Sequence, residues 1–350
     1  MPKAAASASN IAGRRGITLE AAVRRREFIG LLSGAAVTWP VASRAQQPER
    51  MKRIGVLMGV ANDTEGQARL TSFLRGLQEL DWTDGRNAKI EVRWAAGDAD
   101  AARAYATELV ELKQDVILTV TTVAFVATQR ATQFIPIVFV QVVEPLGSGL
   151  VTSLAHPSGN ITGFTSFEYA TAGKWLATVK EIAPKVTRVA VVHSPDDPSS
   201  AGYLREVEVF AHSVGVQMVP IGARTIKEIE RELAEFGKEG NGGMIVLPNA
   251  FTATYRAEIV ALAALHRLPA VYPLRYFAAV GGLVSYGFDN IELHKRAAGY
   301  VDRILKGTRP SDLPIQQPIK FELVVNLKTA SALGLTIPES FLVRADEVIE

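Results

Sequence analysis

Six polar side chains, Asn62, Thr121, Thr122, Ser166, Ser194 and Asn249, each follow closely on a β-branched run, with Phe167, Tyr272 and Tyr286 beside them. Hydroxyls and amides donate and accept hydrogen bonds without ionising, so this set fits recognition rather than bond breaking. Convergent polar groups among aromatic walls suit a small zwitterion or carboxylate. Glu144, next to Pro145 at the end of another apolar run, is the acidic partner expected for a ligand amine, with ordinary turn chemistry as the competing reading. Thr121 and Thr122 precede a helical segment beginning near Val123. Its free backbone N–H groups suit a carboxylate, and the two hydroxyls equally suit helix capping. Asp196-Asp197-Pro198 reads first as a helix-start turn.

Catalytic patterns are missing. With no cysteine, the chain has no disulfide, no thiolate nucleophile and no Cys-based metal site. The five histidines (His156, His193, His212, His266 and His294) are scattered, with no pair at metal-ligand spacing. Gly147-Ser148-Gly149 lacks the third glycine of a dinucleotide fingerprint, and neither a Walker loop nor a Gly-x-Ser-x-Gly elbow occurs. The expectation is a binding protein with no cofactor, no metal and no catalytic residue.

The elements that must position these groups alternate. Apolar runs at 53–58, 89–94, 115–120, 136–142 and 160–165 read as strands, and so do those at 188–193, 216–221, 243–247, 269–272 and 283–286. Leu70, Phe73, Leu74, Leu77 and Leu80 recur at helical spacing, and further helical patterns cover 101–112, 123–132, 173–182, 203–213, 226–236, 255–266 and 293–305. Such alternation predicts an α/β protein with parallel sheets flanked by helices. Two sets of five strands imply two lobes, at 52–163 and 164–287. Residues 288–350 would supply a return helix to the first lobe and a proline-rich strap (Pro310, Pro314, Pro318) across the hinge. Ligands of open parallel sheets sit beyond the carboxyl ends of the strands, so both sets of loops should line one cleft.

The N-terminus carries an address. Arg24-Arg25-Arg26-Glu27-Phe28-Ile29 opens an uncharged run to Trp39, followed by Pro40 and Ser43-Arg44-Ala45, the order of a twin-arginine signal peptide over residues 1–45 cleaved near Ala45. Seven of the 38 basic residues but two of the 36 acidic ones lie before residue 46, leaving 31 bases against 34 acids. A slightly acidic remainder has no electrostatic footprint for nucleic acid or anionic membrane. The expected product is a periplasmic monomer with no direct membrane insertion and a small-molecule ligand.

Three segments carry a family resemblance. Gly147-Ser148-Gly149-Leu150-Val151-x-Ser153-Leu154-Ala155-x-Pro157-x-Gly159-Asn160-Ile161-Thr162-Gly163 is the longest. Ser285-Tyr286-Gly287-x-Asp289 is the second, and the third runs from Tyr300 to Gly307, through Phe321 to Ala330, to Ala345-Asp346-Glu347-Val348-Ile349. Over residues 52–350 the chain resembles ABC-transporter substrate-binding proteins of the tryptophan-binding type. The resemblance implies a type I periplasmic-binding fold that closes on a small solute such as an amino acid and delivers it to an inner-membrane permease driven by an ATPase. Where that family often has Gly-Gly-Thr-Pro and Asp-Pro, this chain has Thr121-Thr122-Val123-Ala124 and Glu144-Pro145. Two alternatives are a periplasmic sensor feeding a membrane signalling protein and, further off, an exported two-lobed α/β enzyme.

Overall fold

The computed structural model describes residues 50–350. The expected leader, residues 1–45, lies outside the described residues. The first lobe begins with β1 (Lys52–Met58), α1 (Thr64–Glu79), β2 (Ala88–Trp94) and α2 (Ala99–Glu111). It continues with β3 (Val116–Val120), α3 (Thr122–Ala131), β4 (Ile137–Val142) and β5 (Ile161–Thr165). Every pairing in its sheet is parallel, in the order β2-β1-β3-β4-β5. All of β3 and β5 is buried, as expected of parallel strands covered on both faces, and neither carries a charged residue.

The second lobe opens with α4 (Thr171–Ile182), β6 (Arg188–His193), α5 (Ser200–Ser213), β7 (Gln217–Gly222) and α6 (Ile226–Phe236). Next come β8 (Gly242–Val246), α7 (Ala250–Thr254), α8 (Arg256–Leu265), β9 (Ala270–Tyr272), α9 (Arg275–Ala279) and β10 (Val284–Phe288). Then α10 (Asn290–Leu305) returns to the first lobe. It packs along α1, where a Cβ on Gly76 would stand 2.8 Å from the Ala298 methyl. Below the cleft, Phe167 joins the lobes by packing on Trp175 at 5.2 Å and on Phe288 at 4.8 Å between ring centroids. Each such buried ring contributes roughly 2–3 kcal/mol.

The C-terminus departs from expectation. Two sets of five strands were anticipated, and the second sheet has seven, ordered β12-β11-β10-β9-β8-β6-β7. The extra strands are β11 (Phe321–Asn326) and β12 (Glu347–Ile349), separated by α11 (Leu327–Leu333) and α12 (Glu339–Leu342). The proline-rich stretch ends at Pro318, and the segment Phe321–Asn326 beyond it pairs antiparallel with β10. Only the stretch before it is strap-like: Gln316 donates its N–H to Gly163 O at 3.0 Å and accepts from Thr165 N at 2.8 Å. The helix anticipated at 255–266 is α8, and a short helix not anticipated, α7, precedes it and meets it at Tyr255. Among the described residues no helix is long and apolar enough to cross a membrane.

Candidate functional site

The carboxyl ends of both sheets face one small cavity, lined by Val60, Arg69, Thr121, Thr122, Gln141, Val143, Ser166 and Phe167 from the first lobe and its exit segment. Asp197, Pro248, Asn249, Leu274, Tyr276 and Phe288 complete it from the other side. Its volume is about 30 Å³, room for one or two waters in this arrangement of the lobes. Four buried atoms on this lining have no hydrogen-bond partner: Arg69 Nε, Thr121 Oγ1, Gln141 Oε1 and Ser166 Oγ. Buried polar atoms are ordinarily paired, so four together mark a surface built to meet something else.

Local backbone explains how these groups are aimed. Thr121 stands at φ 85° and ψ 157°, a conformation suited to glycine, and its hydroxyl makes no capping bond to α3. Of the two readings open for this hydroxyl, capping is not the one adopted. Gly59 makes room for it, since a Cβ there would stand 2.1 Å from Thr121 Oγ1. Thr122 instead accepts from Val143 N at 3.2 Å and ties the ends of β3 and β4 together. Gln141 sits at φ 63°, where the β4–β5 register slips between Val140 and Val142. Such a bulge takes a side chain out of the ladder and re-aims it.

The second-lobe groups are already engaged. Asn249 caps α7 by accepting from Thr252 N at 2.8 Å. The Asp197 carboxylate accepts from Ser199 N and Oγ, at 2.9 and 2.5 Å. Burial pushes the Asp197 pKa up, against those two bonds.

Of the residues proposed from sequence, Thr121, Thr122, Ser166, Phe167 and Asn249 line the cavity. Asn62 is exposed and accepts from Gln67 Nε2. Glu144 folds back on its own turn, where it takes the Tyr169 N–H at 3.3 Å. Ser194 lines a separate, wider groove of about 560 Å³ with Asp98, Asp100, Arg103, Asp196 and Arg224. Tyr272 is stacked on Phe277 in the core, and Tyr286 lies against Phe321. The strand-end rule includes the loops that carry Gln141 and Tyr276 without singling those residues out, and sequence reasoning missed Arg69 and the burial of Asp197. Arg69 had a readable signal: it stands one turn before Phe73 and two before Gly76, on the buried stripe of α1.

An ion pair bridges the lobes beside the cavity. Asp63 caps α1 through Oδ1 and accepts from Arg256 Nη1 through Oδ2 at 2.5 Å. Burial disfavours the Asp63 carboxylate, yet the Gly66 N–H and the Arg256 guanidinium outweigh it and lower its pKa. Nearby, Gly97 at φ 84° brings the first lobe onto the Phe251 backbone, which a Cβ there would meet at 3.0 Å.

Comparison with known proteins agrees with this architecture. A tyrosine-binding protein of Clostridioides difficile is 25% identical over 288 residues, 82% of each chain. The crystal structure of a conserved domain protein from Vibrio cholerae is similar at a TM-score of 0.79 and 26% identity, covering 85% of this chain and all of that one. An ABC domain from Streptococcus pneumoniae in complex with L-Trp has a TM-score of 0.78 at 25% identity, covering 85% of this chain and 99% of that one. The family model described as ABC transporter substrate binding protein matches residues 53–349. A two-lobed α/β chain with its cavity between the strand ends, matched over nearly all its described length, belongs to the ABC transporter substrate-binding proteins.

Proposed function

We propose that this chain is the periplasmic receptor of an ABC importer, capturing a small organic solute of the amino-acid kind by hinge closure and handing it to an inner-membrane permease. The observation that carries the reading is the convergence of four unpaired buried polar atoms on one cavity between the lobes. Names of relatives that bind tyrosine or carry L-Trp favour an amino acid. The moving bodies are residues 52–163 and 164–287, with 288–350 returning to the first and crossing to the second. A cavity this small admits a ligand only when the lobes part, and ligand contacts to both then favour the closed form. The basic leader at residues 24–45 supports export.

Isothermal titration of the purified protein against a panel of L-amino acids and their close analogues tests this reading. One-site binding of a panel member is expected, with small-angle scattering showing contraction on saturation. Binding of none of them would remove the amino-acid assignment. Binding without contraction would remove hinge closure.

A further inference from the structure

Arg69 is a buried cation without a counter-ion. It is 2% exposed, its Nε has no hydrogen-bond partner, and no carboxylate among the described residues lies within ion-pair distance of it. Three acids stand near it and none is paired with it: Glu65, one turn earlier on α1, shares a pocket wall with it without an ion pair. Asp63 is held by Gly66 N and Arg256, and Asp197 by Ser199. What Arg69 does contact is Tyr276, its guanidinium carbon 5.1 Å from the ring centroid, a neutral partner that leaves the charge uncompensated. A buried charge left unpaired is strongly disfavoured, and guanidinium is the side chain best shaped to take a carboxylate through two parallel bonds.

The surroundings add donors of the same sense. The hydroxyls of Thr121 and Ser166 share the cavity with Arg69 and can donate, whereas the unpaired atom of Gln141 there is its Oε1, an acceptor; no acid of the first lobe lines the cavity. We infer that Arg69, with the Thr121 and Ser166 hydroxyls, forms a carboxylate receptor on the first lobe, and that the transported solute carries a carboxylate as its obligatory group. The inference rests on the cavity being the solute site, as proposed above. It assigns the anionic end of the ligand to a residue on α1 rather than to the N-terminus of α3.

Matched triads test it: an amino acid, the acid lacking its amine, and the amine lacking its carboxylate, with the side chain held constant. Titrated into the full chain, the two carboxylate-bearing members should bind and the amine should not. Arg69→Gln should weaken the acids at least a hundredfold, about 2.8 kcal/mol, while Arg69→Lys recovers part of the loss. Circular dichroism melts of the variants confirm folding, and the triad ranking in the unsubstituted protein decides the matter if Arg69→Gln does not fold. An amine bound as well as its parent amino acid overturns the receptor and leaves the amino-acid reading intact. If no triad member binds, the amino-acid reading fails. The receptor is then decided by a thermal-shift screen of aliphatic, aromatic and dicarboxylic acids. A carboxylate that raises the melting temperature of the parent protein and not of Arg69→Gln supports it, and none doing so overturns it.

Discussion

On the first lobe and the segment that leaves it, the groups that face the cavity are strained or unpaired. Thr121 and Gln141 hold positive φ angles, and Thr121 Oγ1, Gln141 Oε1, Ser166 Oγ and Arg69 Nε have no partner. On the second lobe, Asn249 caps a helix, Thr252 donates its hydroxyl to Leu247 O at 2.8 Å, and Asp197 is bonded to Ser199. The contrast assigns different work to the two halves. Strain of about 1–3 kcal/mol at a residue such as Thr121 is tolerated where it pre-aims a group. The first lobe is therefore the half that recognises polar groups, and the second a self-satisfied cover that supplies walls and a latch.

The largest effect expected from this contrast is on affinity. Replacing Thr121 by Val and Ser166 by Ala together should weaken solute binding about a hundredfold by calorimetry, roughly tenfold for each hydrogen bond lost. An equal loss from Asn249→Ala would erase the distinction between the lobes.

Next in size is a pH effect beneath the first lobe. His294 on α10 is fully buried, and burial together with nearby Arg69 lowers its pKa to about 3. An unfolded histidine titrates near ~6.5, so below that pH the unfolded chain binds a proton that the folded chain refuses. Stability from this group is thus complete above pH ~6.5 and falls as the pH drops toward the folded value, by about 2 kcal/mol between pH 7 and 5. Chemical denaturation at both values should show a slope smaller by about 2 kcal/mol in His294→Gln than in the parent, the buried His193 contributing equally to both.

A smaller change is expected at the latch. Arg256→Met removes the ion pair to Asp63, whose side chains are 15% and 32% exposed. About 1 kcal/mol is the expected contribution of such a half-buried pair, so affinity should drop about fivefold, with the loss in the dissociation rate seen by stopped flow. The smallest affinity change belongs to the second lobe itself. Asn249→Ala should cost about 1 kcal/mol of stability through the lost cap and leave the dissociation constant within about twofold.

Much of the fold was legible because it follows from local periodicity. The unbroken apolar runs of β1, β3, β4 and β5 announce strands covered on both faces, and their spacing with helices announces parallel sheets. The geometric rule for strand ends then selected Thr121, Thr122, Ser166, Phe167 and Asn249 for the cleft, and all of them line the cavity. The same rule selected Asn62, Glu144 and Ser194, which their loops turn elsewhere, and the neighbouring Tyr272 and Tyr286 lie within β9 and β10. A loop's position follows from its strand, but the direction of each side chain follows from φ and ψ within it, as Glu144 at φ 37° illustrates by folding onto its own turn.

The sequence by itself determined the strands β1 to β10, the main helices between them, their parallel α/β arrangement and most of the loops that meet at the cleft. Periodicity and turn chemistry are short-range properties, fixed within a dozen residues. Only the tertiary structure decided that Arg69 is a cavity residue. On α1 alone it is a charge at the edge of an apolar stripe, where an arginine can snorkel to water. Tyr276 from the second lobe takes that route away, and α10 closes the helix from the side. Burial of a charge depends on what arrives from 200 residues further along the chain, and no local pattern carries that information.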